Sequence, residues 1–354
     1  MSFHARSSPF KRPDTSNSSS TNRGSRLRPI SDSLEAVGFP SKGDRTLLEH
    51  KAQQTYYDTI VDRYMRFCSC HSHDLDAAWA SLPASASADA TKNPPSNVPV
   101  PPTGKPAAKP VYHDEIAAGL IAKTERLSLT TTQPQQRSTG EKQRPPAAEL
   151  SSLLMSLRKL REGILATSST TPVTFQQQVH IFSIRFSILA RHPPSYFSSL
   201  RYLLENLHTT SHPLTKHELT EFTSYLVLDY ACRQNSLAPA YMLLIQSKQK
   251  YGFQSLVVDR ILSALIHDNW ITFWRTHKEV DGYTRAIMNW ATDHVMRQAL
   301  KAVGRTYLSV NVSWLLETCT GDDGWTWQDL AERERLGWQL EGESIIIRKP
   351  KART

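Results

Sequence analysis

The stretch that most restricts what this chain can fold into is residues 308–349, LSVNVSWLLETCTGDDGWTWQDLAERERLGWQLEGESIIIRK. Val312, Leu315, Leu316 and Cys319 recur on one helical face, and Gly321 follows where a left-handed stop is expected. Trp327, Leu330 and Ala331 put a second apolar stripe on 326–335, with Thr326 as N-cap and Asp329 three residues on as a variant capping box. After Gly337, residues 338–340 and 344–348 flank Glu341-Gly342-Glu343, which has the turn chemistry of a hairpin.

Helix, break, helix and hairpin in that order are the skeleton of a winged helix, with 326–335 as the recognition-type helix and the hairpin as the wing. The plainer alternative is a helical C-terminus with an incidental hairpin. Upstream there is no strand pattern before Trp338. Leu153, Leu157, Leu160 and Ile164 form one helical stripe, and Ile181, Ile184, Ile188 and Leu189 form another that Pro193-Pro194 ends. Segments 196–207, 219–232, 238–248, 254–267, 270–275 and 283–305 follow as further helices with short connections. The fold class expected is therefore mainly α: a right-handed helical-repeat domain ending in a winged helix with a short β-hairpin, preceded by a disordered N-terminal region.

Composition divides the chain further. Residues 1–44 are rich in Ser, Asn, Arg and Pro and read as a disordered basic tail. Residues 45–82 carry an isolated amphipathic helix on the stripe Leu48, Ala52, Tyr56, Ile60, Tyr64 and Phe67. Residues 83–148 form a Pro/Ser/Thr-rich linker with one short helix near 114–126. The helical-repeat part then spans 149–307, the winged helix 308–349, and a basic tail 350–354. Seven of the eight Trp lie at or after Trp270, which puts the densest packing in the C-terminal half.

The net charge of +9 is carried by the ends: +5 within residues 1–30 and +4 from Arg348 onward, so 31–347 sum to zero. A dedicated duplex binder would carry its excess on the folded surface. Cys68, Cys70, Cys232 and Cys319, without an apolar signal segment, point to a reducing compartment, cytoplasmic or nuclear. No apolar run approaches the length of a membrane span. The cluster Cys68-Ser-Cys70-His71-Ser-His73 lacks the ligand spacing of known zinc knuckles and fingers and reads as a helix end, so no metal and no cofactor are expected.

Several strings resemble the small-subunit branch of the PCI family: LRKLREGI (157–164), ACRQNSLAPAYML (231–243), LSALIHDNWITFWR (262–275) and ALKAVGRTYLSVNVSWL (299–315). That branch groups the smallest signalosome subunit, the eighth non-ATPase subunit of the proteasome lid and subunit k of the third translation initiation factor. The resemblance covers about 150–349 and implies a scaffold whose winged helix assembles beside those of other subunits. Residues 1–148 depart from the compact members. Messenger-RNA processing and export adaptors of the Sac/GANP type share the layout and are the second reading.

The residues themselves also favour a scaffold over an enzyme. There is no Gly-rich phosphate loop, no His-Glu-x-x-His, no G-x-S-x-G and no paired-carboxylate setting. The expectation is a non-catalytic adaptor without a small-molecule substrate. Its partners would meet Trp338, Leu340, Ile345 and Ile347, with strand 344–348 offering an edge for strand addition. A nucleic-acid surface is the competing use: Arg297, Lys301 and Arg305 recur at every fourth position, and Arg348, Lys349, Lys351 and Arg353 could extend them into one phosphate-facing patch. A solvated helix face is the simpler account of that series. Asp322, Asp323, Asp329, Glu332 and Glu334 outweigh Arg333 and Arg335 at the recognition-type helix and oppose reading of a major groove.

Overall fold

A computed structural model describes residues 32–82, 144–321 and 324–348. The tail before residue 32, the linker 83–143 with its expected helix at 114–126, and everything from Lys349 lie outside the described residues. The described chain is mainly helical and ends in a small antiparallel sheet. The first three helices are α1 (Ser33–Ala36), α2 (His50–Cys70) and α3 (Leu75–Ala80). Next come α4 (Pro146–Ala166), α5 (Val173–Leu189), α6 (Pro193–Tyr202), α7 (Lys216–Leu228), α8 (Leu237–Tyr251) and α9 (Leu256–Ile266). The chain continues through α10 (Trp270–Glu279), α11 (Gly282–Met288), α12 (Thr292–Thr306), β1 (Ser309–Asn311), α13 (Val312–Thr320), α14 (Trp327–Glu334), β2 (Gln339–Glu341) and β3 (Ser344–Ile346).

Local chemistry sets most of these boundaries. Thr215 and Glu218 close a reciprocal capping box at the start of α7, and the Asp281, Asn311 and Thr326 side chains accept the first free N–H groups of α11, α13 and α14. Gly252 and Gly321 end α8 and α13 in the left-handed conformation.

Helix α5 divides the interior because it is apolar on more than one face. Phe175, Val179, Phe182 and Phe186 turn toward one core, shared with α2 and α4. Ile184 and Ile188 turn toward the other, which runs through all the later helices to the sheet. The first core is built on aromatic edges: Tyr57 meets Phe175 and Phe182, and Tyr64 meets Phe182 and Phe186, at ring separations of 5.5–5.9 Å. Edge-to-face pairs of this kind add about 0.5–1.5 kcal/mol each beyond their burial.

Two N-terminal expectations change here. Residues 32–44 belong to the fold, since Leu34 and Leu47 are completely buried and Lys159 and the Tyr56 hydroxyl both donate to the Leu34 carbonyl. Helix α2 is docked rather than isolated. Arg63 joins Asp32 to Glu149 on α4, and Gly163 lets the Leu47 backbone approach so closely that an added Cβ would lie 2.7 Å from its carbonyl oxygen. Leu34 and Leu47 stand outside any helical period, so only their tertiary partners reveal them. The expected helix 283–305 is also broken, into α11 and α12, by short i to i+3 bonds at Trp290 and Ala291.

A buried ionic knot braces α6 and α7. Asp229, fully buried in the π-helical turn that extends α7, accepts from the Tyr196 hydroxyl at 2.6 Å, from Arg233 at 2.7 and 2.8 Å, and from Gln234 at 2.8 Å.

His180 on α5 is buried with its ring 4.9 Å from that of Tyr202. Burial, helped by the nearby Arg161 guanidinium, pushes its imidazole from 6.5 down to about 3. The unfolded chain therefore binds a proton that the folded chain refuses between those values, and stability falls as pH drops below about 6.5. Between pH 7 and 4.5 His180 should account for about 2–3 kcal/mol of that fall. Urea unfolding at the two pH values checks it: the difference should shrink in His180→Phe and would persist unchanged if His180 were not its source.

Candidate functional site

The C-terminal unit is built against α12 and shares the larger core through Val310, Leu315, Cys319, Leu330 and Ile345. Its sheet has the order β1-β3-β2, both pairings antiparallel. Ile345 pairs with Val310 on one side and Leu340 on the other. Gly342 takes the first central position of the two-residue β2–β3 turn at φ +64°, where a primed hairpin turn requires glycine.

This topology corrects the strand-addition expectation. Strand 344–348 offers no edge, because β3 is the central strand. The cause is β1, a three-residue strand too short to display alternation and placed directly before the helix that Asn311 caps. Among the described strands β2 is the outer one instead, and Gln339, Leu340 and Glu341 are all exposed along it. Of the expected contact residues, only Leu340 (46% exposed) is free to meet a partner. Ile345 is fully buried and unavailable to one. Trp338 stacks on Trp327 at 6.4 Å and lies against Gly304, wedged between α12 and α14, while Ile347 packs on the core and donates its N–H to Leu308 at 2.8 Å.

The basic series is divided as well. Arg297 is bound to Glu334 of α14 at 3.1 Å, and Arg333 of α14 reaches back to Asp293 of α12 at 2.6 Å. These crossed pairs fasten α14 to α12 and, being partly exposed, contribute at most about 1 kcal/mol each. Arg297 is therefore engaged with Glu334, although its side chain stays about half exposed. Lys301, Arg305 and Arg348 are exposed and, among the described residues, have no carboxylate partner. Arg348 donates to the Arg305 carbonyl at 2.6 Å, which brings the end of β3 onto the end of α12. Lys349, Lys351 and Arg353 lie outside the described residues.

Two features escaped sequence reasoning. A cleft of about 530 Å³ separates α10–α12 from the C-terminal unit, lined in part by Arg191, Trp274, Lys278, Arg285, Trp325 and Arg333. Arg285 already serves three carbonyls there, at 2.8–3.3 Å, and Arg333 lies over the Trp325 ring. The second is an exposed aromatic pair, Tyr307 and Trp314, with ring centroids 5.7 Å apart. Their spacing of seven residues was visible, but a β-strand and a helix start lie between them, so no single period links them.

Cys68 lies against Tyr64 near the end of α2, where burial pushes its thiol up, and the His71 ring packs on Phe67 at 4.8 Å. Among the described residues no group of three or more His, Cys, Asp or Glu side chains is placed to hold a metal ion. None of the described helices is long and apolar enough to cross a membrane. The chain matches no protein-family model, and the search of curated proteins found no match.

Proposed function

We propose that this chain is a non-catalytic scaffold subunit of PCI type, a right-handed helical-repeat domain that ends in a winged helix and assembles with other subunits of a multiprotein complex. The observation that carries the reading is the continuity of one hydrophobic core from α5 through the helices to β3, with β2 at the outside of the sheet among the described strands. A winged helix rigidly seated on a helical layer holds that edge in a fixed direction. Strand addition on β2 would take its attraction from main-chain hydrogen bonds and its selectivity from Leu340. A proteasome-lid, signalosome or initiation-factor setting fits this arrangement equally, and the four free thiols suit a cytoplasmic or nuclear location.

Affinity purification of the tagged chain from its own cells is the direct test. Stoichiometric protein partners should be recovered, and Leu340→Lys should reduce them at least tenfold while the melting temperature is unchanged. Recovery of RNA without protein partners would instead favour the Sac/GANP-type adaptor reading. Full partner recovery with Leu340→Lys would move the assembly surface off β2.

A further inference from the structure

The end of α12, the start of β1 and the end of β3 bring together side chains that the core does not use. Tyr307, Leu308 and Trp314 are 43%, 52% and 39% exposed, an unusual concentration of open apolar surface beside three cations. The Leu308 carbonyl accepts from the N–H groups of Ile347 and Arg348 at 2.8 and 3.1 Å, so Arg348 is held next to Leu308 by the backbone itself. Its guanidinium bond to the Arg305 carbonyl closes the patch, and Lys301 stands one turn back on α12. The sheet is also polarised along its length. Arg348 leaves one end, while Glu341 and Glu343 sit at the hairpin end beside Asn311. Glu317, one turn beyond Trp314 on α13, is the acid closest in sequence to the rings.

We infer that Arg305, Tyr307, Trp314 and Arg348 form a binding platform for single-stranded nucleic acid. Unpaired bases stack on the two rings, and Lys301, Arg305 and Arg348 track the phosphates. Partly exposed aromatic rings flanked by cations that have no carboxylate partner among the described residues meet both needs of such a strand. A duplex, whose bases are closed into their own stack, satisfies only the second. The acidic hairpin tip limits the track to the basic end. This surface is separate from the β2 edge and does not depend on the scaffold reading.

The test is fluorescence anisotropy of the full chain with labelled RNA and DNA strands of about 12 nucleotides, a length within the range one such surface covers, and with the corresponding duplexes. The single strands should bind more tightly than the duplexes, and the RNA and DNA arms report whether the 2′-hydroxyl matters. Tyr307→Ala with Trp314→Ala should weaken binding on the order of tenfold or more, and Tyr307→Phe with Trp314→Phe should restore it. Arg305→Glu with Arg348→Glu should weaken binding and lower the salt slope by about 1.4. Should circular dichroism find the double-alanine variant unfolded, this exposed arginine pair decides alone. The inference is overturned if the wild-type chain binds no strand, if it holds duplex equally well, or if only Lys349→Ala, Lys351→Ala and Arg353→Ala together remove binding.

Discussion

Substituting Gly321 with alanine should loosen the C-terminal unit from the helical body, at a cost of about 2–5 kcal/mol. Two effects add at this residue. Gly321 has φ +70°, which a side chain opposes, and a Cβ built there would overlap the indole of Trp274. Moving Trp274 aside would uncover a buried indole and break the bond that its Nε1 donates to the Cys319 carbonyl at 3.1 Å. Gly342→Ala provides the control. Its φ is +64° with nothing within 4 Å of the added carbon, so it should lose only the conformational part, about 1 kcal/mol. Chemical denaturation of both variants separates the terms. Equal losses would mean that the Trp274 contact contributes nothing.

Asp229→Ala should cost about 3–5 kcal/mol, because it removes the sole carboxylate of the α6–α7 knot and leaves Arg233 and the Tyr196 hydroxyl without their partner. Tyr196→Phe should cost only about 1–2 kcal/mol, since Asp229 keeps both Arg233 and Gln234. The double variant should fall well short of the sum, as groups sharing one network do not add. An additive result would show that Tyr196 and Asp229 act independently despite their 2.6 Å separation. Arg233 also lies over the Phe197 ring at 5.6 Å, so its displacement would disturb packing as well as charge.

The helices were largely legible because each buries a stripe, and caps and stops mark their ends locally. Thr326 and Gly321 act as their residue types predict, and the hairpin turn follows Gly342. What was lost in α5 is instructive. The isoleucine stripe 181, 184, 188 is readable, but nothing local marks the phenylalanine stripe 175, 182, 186 as a second buried face. Without it, the sequence shows no surface on which α2 could dock. The basic series on α12 is likewise readable as a period, whereas the pairing of Arg297 with Glu334, while Arg305 has no carboxylate partner among the described residues, depends on α14 lying across it.

The sequence by itself determined the helical periods, the residues that begin and end them, and the hairpin with its glycine turn, because these are interactions within a few residues. Tertiary structure alone decided that Leu34 and Leu47 are core, that β3 is central rather than an edge, and that Ile345 is buried while Leu340 is not. Those outcomes rest on contacts between distant segments, where a three-residue strand such as β1 changes which backbone groups remain free without altering any local pattern. The same reason explains the Tyr307 and Trp314 platform: its rings meet only after the chain has turned through β1 and entered α13.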